Sequence, residues 1–181
     1  MQPEDPFERW SQDPHLARVD QQMRAELRAD AEEDERLAVQ ALLRGRGLAD
    51  VARELAARGD TVSVAIADRS FTGAVTHSAG DLACITSAVG ELDVRLTAPV
   101  VVTVLKRSSE GGRGKGHGPA TFRARLSEHE AAGGAVELGA LWAPPLVGRI
   151  AAVAEDHVVL DSAGLRSYVS LASVAYALQR R

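Results

Sequence analysis

The chain has 181 residues, 45% of them apolar, and a net charge of −4, which is enough for one ordinary core or two small ones and gives no overall field that would draw in a polyanion. A single cysteine, Cys84, excludes an intramolecular disulfide, and its place in the apolar run LACI marks it as a small buried hydrophobe rather than a nucleophile. Apolar runs fall short of the roughly 18 to 20 residues of a membrane span, and MQPEDPFERW has acids and prolines where an export signal needs a basic and then an apolar stretch, so a soluble protein of a reducing cytoplasm is expected.

Residues 1–14 hold Pro3, Pro6 and Pro14 among acids and read as a disordered lead. Over 15–46 a long helix is predicted, because Leu16, Val19, Met23, Leu27, Ala31, Ala38 and Ala41 recur in steps of three, four or seven with Leu37 beside the stripe. Its centre, RADAEEDER (28–36), is charged nearly all round. A helix with so narrow an apolar seam either folds back on the rest of the chain or binds a protein partner or a second copy through Leu16, Met23, Leu27 and Leu37.

Gly45 and Gly47 interrupt the helix, LADVARELAAR (48–58) resumes it, and Gly59 supplies the stop. TVSVAI (61–66) alternates β-branched residues and reads as a strand, followed by FTGAVTHS, DLACITSA, ELDVRL and VVVTVL with turns at Gly80 and Gly90. KRSSEGGRGKGHGP (106–119) has linker composition. The order then returns: TFRARLSEHEA as helix, Gly133-Gly134 as stop, and AVELGAL, LVGRIAAV, DHVVLDS, RSYVSL and VAYAL as strands.

The return is visible in the residues themselves. At an offset of 75, Gly73, Asp81, Ser87, Ala88, Val94 and Leu96 meet Gly148, Asp156, Ser162, Ala163, Val169 and Leu171, with apolar positions such as Val75/Ile150 and Ile85/Leu160 between them. One helix-plus-five-strand unit therefore occurs twice. The predicted fold is α+β, with the long helix leading into small barrels at 47–105 and 120–181. Because units of that size bury little alone, the two are expected to pack on each other or share a sheet edge.

Chemistry is harder to find. His15, His77, His117, His129 and His157 share no metal-ligand spacing with one another or with Cys84, and no metal site or cofactor is inferred. His77 near Asp81 and His157 after Asp156 could be imagined as acid–base pairs, but they fall at strand ends, where a solvated histidine is commoner. A phosphate loop is excluded because Gly116 follows Gly114-Lys115 where Ser or Thr is needed. The aromatics Phe7, Trp10, Phe71, Phe122, Trp142, Tyr168 and Tyr176 are too scattered for a base-stacking platform and mostly read as packing. Cations that could touch nucleic acid are Lys106, Arg107, Arg113 and Lys115 in the linker and Arg180 and Arg181 at the end.

Two resemblances add to this. The unit, with VxV, Gly73, Val75, Asp81 and Ile85 in the first copy and Gly148, Ile150, Asp156 and Leu160 in the second, resembles the Sm-like small barrel, and YVSLASVAYAL (168–178) looks like the last strands of its bacterial Hfq branch. Where that branch has its RNA-contacting Lys-His pair this chain has Val169 and Ser170, and the Arg-Gly of eukaryotic Sm proteins is missing after Leu96. As a whole the chain also resembles proteins of high-GC Gram-positive bacteria that set an acidic helix before Sm-like strands. LADVARE (48–54) followed by Thr61, Val62 and Ser63 is similar to the helix-turn-helix of LacI-type repressors, which would put those three residues on a recognition helix. The expectation is a non-catalytic interaction or regulatory protein, with nucleic-acid binding as the alternative.

Overall fold

The computed structural model describes residues 14–112 and 118–180, apart from the side chains of Pro14, Leu16 and Ala17, and the chain divides into two units after Arg46. Residues 1–13 of the lead, Arg113, Lys115, His117 and Arg181 lie outside the described residues, and Pro14, expected in the lead, begins the first helix.

Among its described residues the first unit holds one helix, α1 (Pro14–Gly45), of 32 residues, about 48 Å at the ordinary rise per residue. No glycine or proline interrupts it between its ends, and surface pairs at helical spacing run along it: Arg24 with Asp20 at 2.7 Å, Arg36 with Glu33 at 3.1 Å, and Gln22 with Glu26 at 3.1 Å. All its described side chains are exposed.

The second unit begins with α2 (Leu48–Arg58), whose Gly47 N-cap amide donates to the Asp50 carboxylate and whose Gly59 takes the left-handed C-cap conformation. Strands β1 (Thr61–Ile66), β2 (Arg69–Ala79), β3 (Leu82–Ser87), β4 (Gly90–Arg95) and β5 (Val100–Lys106) follow. The second copy repeats the order as α3 (Phe122–Ala132), capped by Thr121 and Gly133, then β6 (Ala135–Ala140), β7 (Leu146–Val153), β8 (His157–Ser162), β9 (Leu165–Ser170) and β10 (Val174–Arg180). All pairings are antiparallel.

The repeat extends to its irregularities. A bulge falls between Val75 and His77 in β2 and between Ile150 and Ala152 in β7. Gly73 and Gly148 sit where a Cβ would lie 2.3 Å from the Thr86 carbonyl and 2.5 Å from the Asp161 carbonyl, so each is required by a strand crossing too close for a side chain.

Two separate closed barrels do not form. The outer edge of β4 is paired with β10, and the two halves join into one open ten-stranded sheet in the order β5-β1-β2-β3-β4-β10-β6-β7-β8-β9. The shared edge expected from the size of the units is thus the junction. Its alternation explains why it holds: Leu92, Val94, Tyr176 and Leu178 enter the core of the first half, whereas Leu82, Val174 and Ala177 enter that of the second. β10 is buried on both faces from Val174 to Leu178. Arg95 adds hydrogen bonds to the carbonyls of Leu171 and Ala172 across it.

Candidate functional site

Two regions gather the side chains that could do something: the exposed stripe of α1 and the charged groups buried at the sheet junction. On α1, Met23, Leu27 and Leu37 are 53%, 63% and 52% exposed, and Leu16 lies outside the described side chains. Val39, Leu42 and Leu43 are equally open at the C-terminal end, where the sequence LAVQALLRG carried the signal and the three-and-four spacing passed over it. Sets of exposed aliphatic side chains on one long element mark interaction surfaces rather than folding cores.

At the junction, Asp93 is wholly buried. Its Oδ2 accepts from Arg125 Nε at 3.0 Å and lies 2.7 Å from His129 Nε2, while Arg125 also reaches Glu128 at 2.8 Å and Glu91 at 3.2 Å. Burial works to raise the Asp93 carboxyl, but the His129 hydrogen bond and the Arg125 charge prevail and hold it below the usual carboxylate range. The same burial, with the Asp93 charge, pushes the Cys84 thiol well above its ordinary value, so it does not supply a thiolate. The cluster fastens α3 of the second half to β4 of the first.

Beside it a cavity of about 120 Å³ is lined by Thr76, His77, Cys84, Thr86, Arg125 and Glu128. That holds several waters and is well below the ~300–1,000 Å³ of ordinary ligand pockets. His77 places Nε2 3.0 Å from the Pro119 carbonyl and not on Asp81, whose Oδ1 instead accepts from the Phe122 amide at 2.9 Å. His157 does contact its neighbour Asp156, at 2.7 Å on an exposed turn.

A second buried carboxylate, Glu137, takes up Arg180, which donates to it at 2.7 Å, together with Arg69 and the Tyr176 hydroxyl at 2.9 Å. Burial and the Glu137 hydrogen bond push the Tyr176 phenol up to about 12. One of the cations singled out for nucleic acid is therefore paired with a buried carboxylate, though its own side chain stays 62% exposed. Lys106 and Arg107 are exposed at the end of β5, with four strands between β5 and β10 in the sheet order, so among the described residues Lys106 and Arg107 are not on the strand that carries Arg180 or on one next to it.

The linker is tethered at both described ends. The Ser108 amide donates to buried Asp60 and the Gly112 amide to the Ala57 carbonyl, each at 2.8 Å, and His77 meets Pro119 as above. Thr61, Val62 and Ser63 belong to β1, so no recognition helix starts there. Among the described residues no group of three or more His, Cys, Asp or Glu is placed to hold a metal ion. No described helix is long and apolar enough to cross a membrane. Comparison with protein-family models, with curated proteins and with solved structures finds no match to this chain.

Proposed function

We propose that the chain is a non-catalytic interaction protein in which α1 is the partner-binding element and the ten-stranded unit is the rigid body joined to it. The observation that carries this reading is the stripe of exposed Met23, Leu27 and Leu37 along one face of a 32-residue helix, with Leu42 flanking it and Val39 and Leu43 exposed on the opposite face. A stripe of that kind suits an amphipathic helix of a partner protein. Residues 28–36 set five acids against two arginines, so the fitting partner helix carries basic residues beside its apolar seam.

The second unit supports a scaffold role. Buried Asp93 and Glu137 are spent on holding the two halves together, and the cavity beside Asp93 is small. The paired helix-plus-five-strand units, with glycine and bulge at matching places, support reading each half as an Sm-like unit. Nucleic-acid binding has less behind it, since Arg180 is engaged by Glu137 and residues 61–63 form a strand.

The test is the double substitution Leu27→Asp and Leu37→Asp. Both side chains are exposed, so unfolding free energy should stay within about 0.5 kcal/mol of wild type. Partner binding, measured by co-purification at matched expression, should fall at least tenfold. Retention of the partner by the double variant would reject the helix as the binding element.

A further inference from the structure

We propose that copies of this chain assemble head to tail, the β9 edge of one copy pairing with the β5 edge of the next. The proposal is independent of the α1 reading. Its basis is that the molecule already contains one example of the joint it needs. Inside the chain, β4 of the first half pairs with β10 of the second. The repeat makes β9 the counterpart of β4 and β5 the counterpart of β10, and these are the two strands at the ends of the sheet.

Carrying the internal register across by the 75-residue offset gives a specific ladder. Tyr176/Val94, Ala177/Asp93, Leu178/Leu92 and Gln179/Glu91 inside the chain become Val101/Val169, Val102/Tyr168, Thr103/Ser167 and Val104/Arg166 between copies. The pairs are chemically suited: a valine pair, a β-branched residue against an aromatic, and two hydroxyls opposite each other. Core membership also carries over. Val94 lies in the first-half core and Ala177 in the second, and in the joint between copies Val169 lies in the second-half core while Val102 packs on the first. The ladder ends one pair earlier than the internal one, because Leu165 stands where the junction has Gly90, a place with no room for a side chain.

These edges also leave apolar surface open. Val101, Val104 and Leu105 on β5 are 64%, 42% and 55% exposed, and Leu165 and Tyr168 on β9 are 74% and 69% exposed. Edge strands of a monomer are normally blunted with charge or proline, yet β5 reads VVVTVL before its first charge at Lys106. A head-to-tail joint leaves one edge of each kind open until a ring closes, so the product is larger than a dimer. Each copy brings one α1, and the assembly would multiply a weak helix contact into an avid one.

The experiment is size-exclusion chromatography with light scattering on the full chain, in the Leu27→Asp/Leu37→Asp background so that helix association does not contribute. The parent should run above dimer mass. Val101→Glu/Leu105→Glu, which blocks β5, and Leu165→Glu/Tyr168→Glu, which blocks β9, should each be monomeric with unchanged far-UV circular dichroism. Mixed in equal amounts, the two blocked chains still offer one good β9 and one good β5, and should form a one-to-one dimer and nothing larger. A parent that stays monomeric up to its solubility, blocked variants that keep the parent's mass, or a mixture that stays monomeric would each overturn the proposal. The mixture also separates a blocked edge from a misfolded chain, since only folded variants can complement.

Discussion

Gly90→Ala is expected to cost about 3 kcal/mol or more of unfolding free energy and to open the end of the β4–β10 ladder. Gly90 has φ +141°, and a Cβ there would lie 2.0 Å from the Gln179 carbonyl oxygen and 3.0 Å from the Arg180 Cα. Both obstacles are backbone, so neither swings aside, and an alanine at such a φ adds strain of its own. The Gly90/Arg180 pair ends the ladder that joins the halves, and Arg180 also serves buried Glu137. Denaturant unfolding monitored at the two junction cores should show lower stability with β10 as the first strand to lose amide protection in hydrogen exchange. A loss under about 1 kcal/mol would mean that the close approach is not needed for the junction.

The second large effect is expected at Asp93. Asp93→Ala should cost about 3–5 kcal/mol, because it leaves the Arg125 guanidinium without its closest buried partner and His129 without its hydrogen bond. The pH dependence follows from the direction of the shift. A carboxyl held below its unfolded value contributes stability that is full above the unfolded pKa, about 3.9 for aspartate, and is lost as pH falls through the lower folded value. Glu137 and Asp60 are shifted the same way, Glu137 by Arg180, Tyr176 and Arg69 against its burial and Asp60 first by the Ser108 amide. Wild-type stability should therefore hold down to about pH 4–5 and fall steeply below it, and Asp93→Ala should start lower at pH 7 and fall less. Urea midpoints across pH 2–7 read both. An Asp93→Ala curve parallel to wild type at all pH would contradict the assignment.

Much of the architecture was legible because local signals agreed. Gly59 and Gly133 stop α2 and α3 as their sequence places imply, and the β-branched alternation of Val62, Val64 and Ile66 marks β1 correctly over a competing helical motif. The junction strands were legible as strands but not as a junction. In ELDVRL, Leu92 and Val94 alternate with Glu91, Asp93 and Arg95, which reads as an ordinary strand with one wet face. That face is covered by a second core, so Asp93 is buried, and nothing local to 90–95 announces the Arg125 and His129 supplied from 30 or more residues away. Glu137 has the same history: a lone acid in AVELGA whose partners come from β2 and β10. The apolar stripe of α1 was readable from spacing alone, because an exposed helix keeps its pattern free of tertiary demands.

The most direct measurement of the interaction role is site-specific photocrosslinking in the cells that make the protein, with a photoreactive residue at Met23 or Leu37 of α1 and, for comparison, at exposed Arg123 on α3. The expected result is a discrete protein adduct from both α1 positions, absent from position 123 and lost when Leu27→Asp is added. Adducts to RNA or DNA, or protein adducts of equal yield from all three positions, would contradict the account.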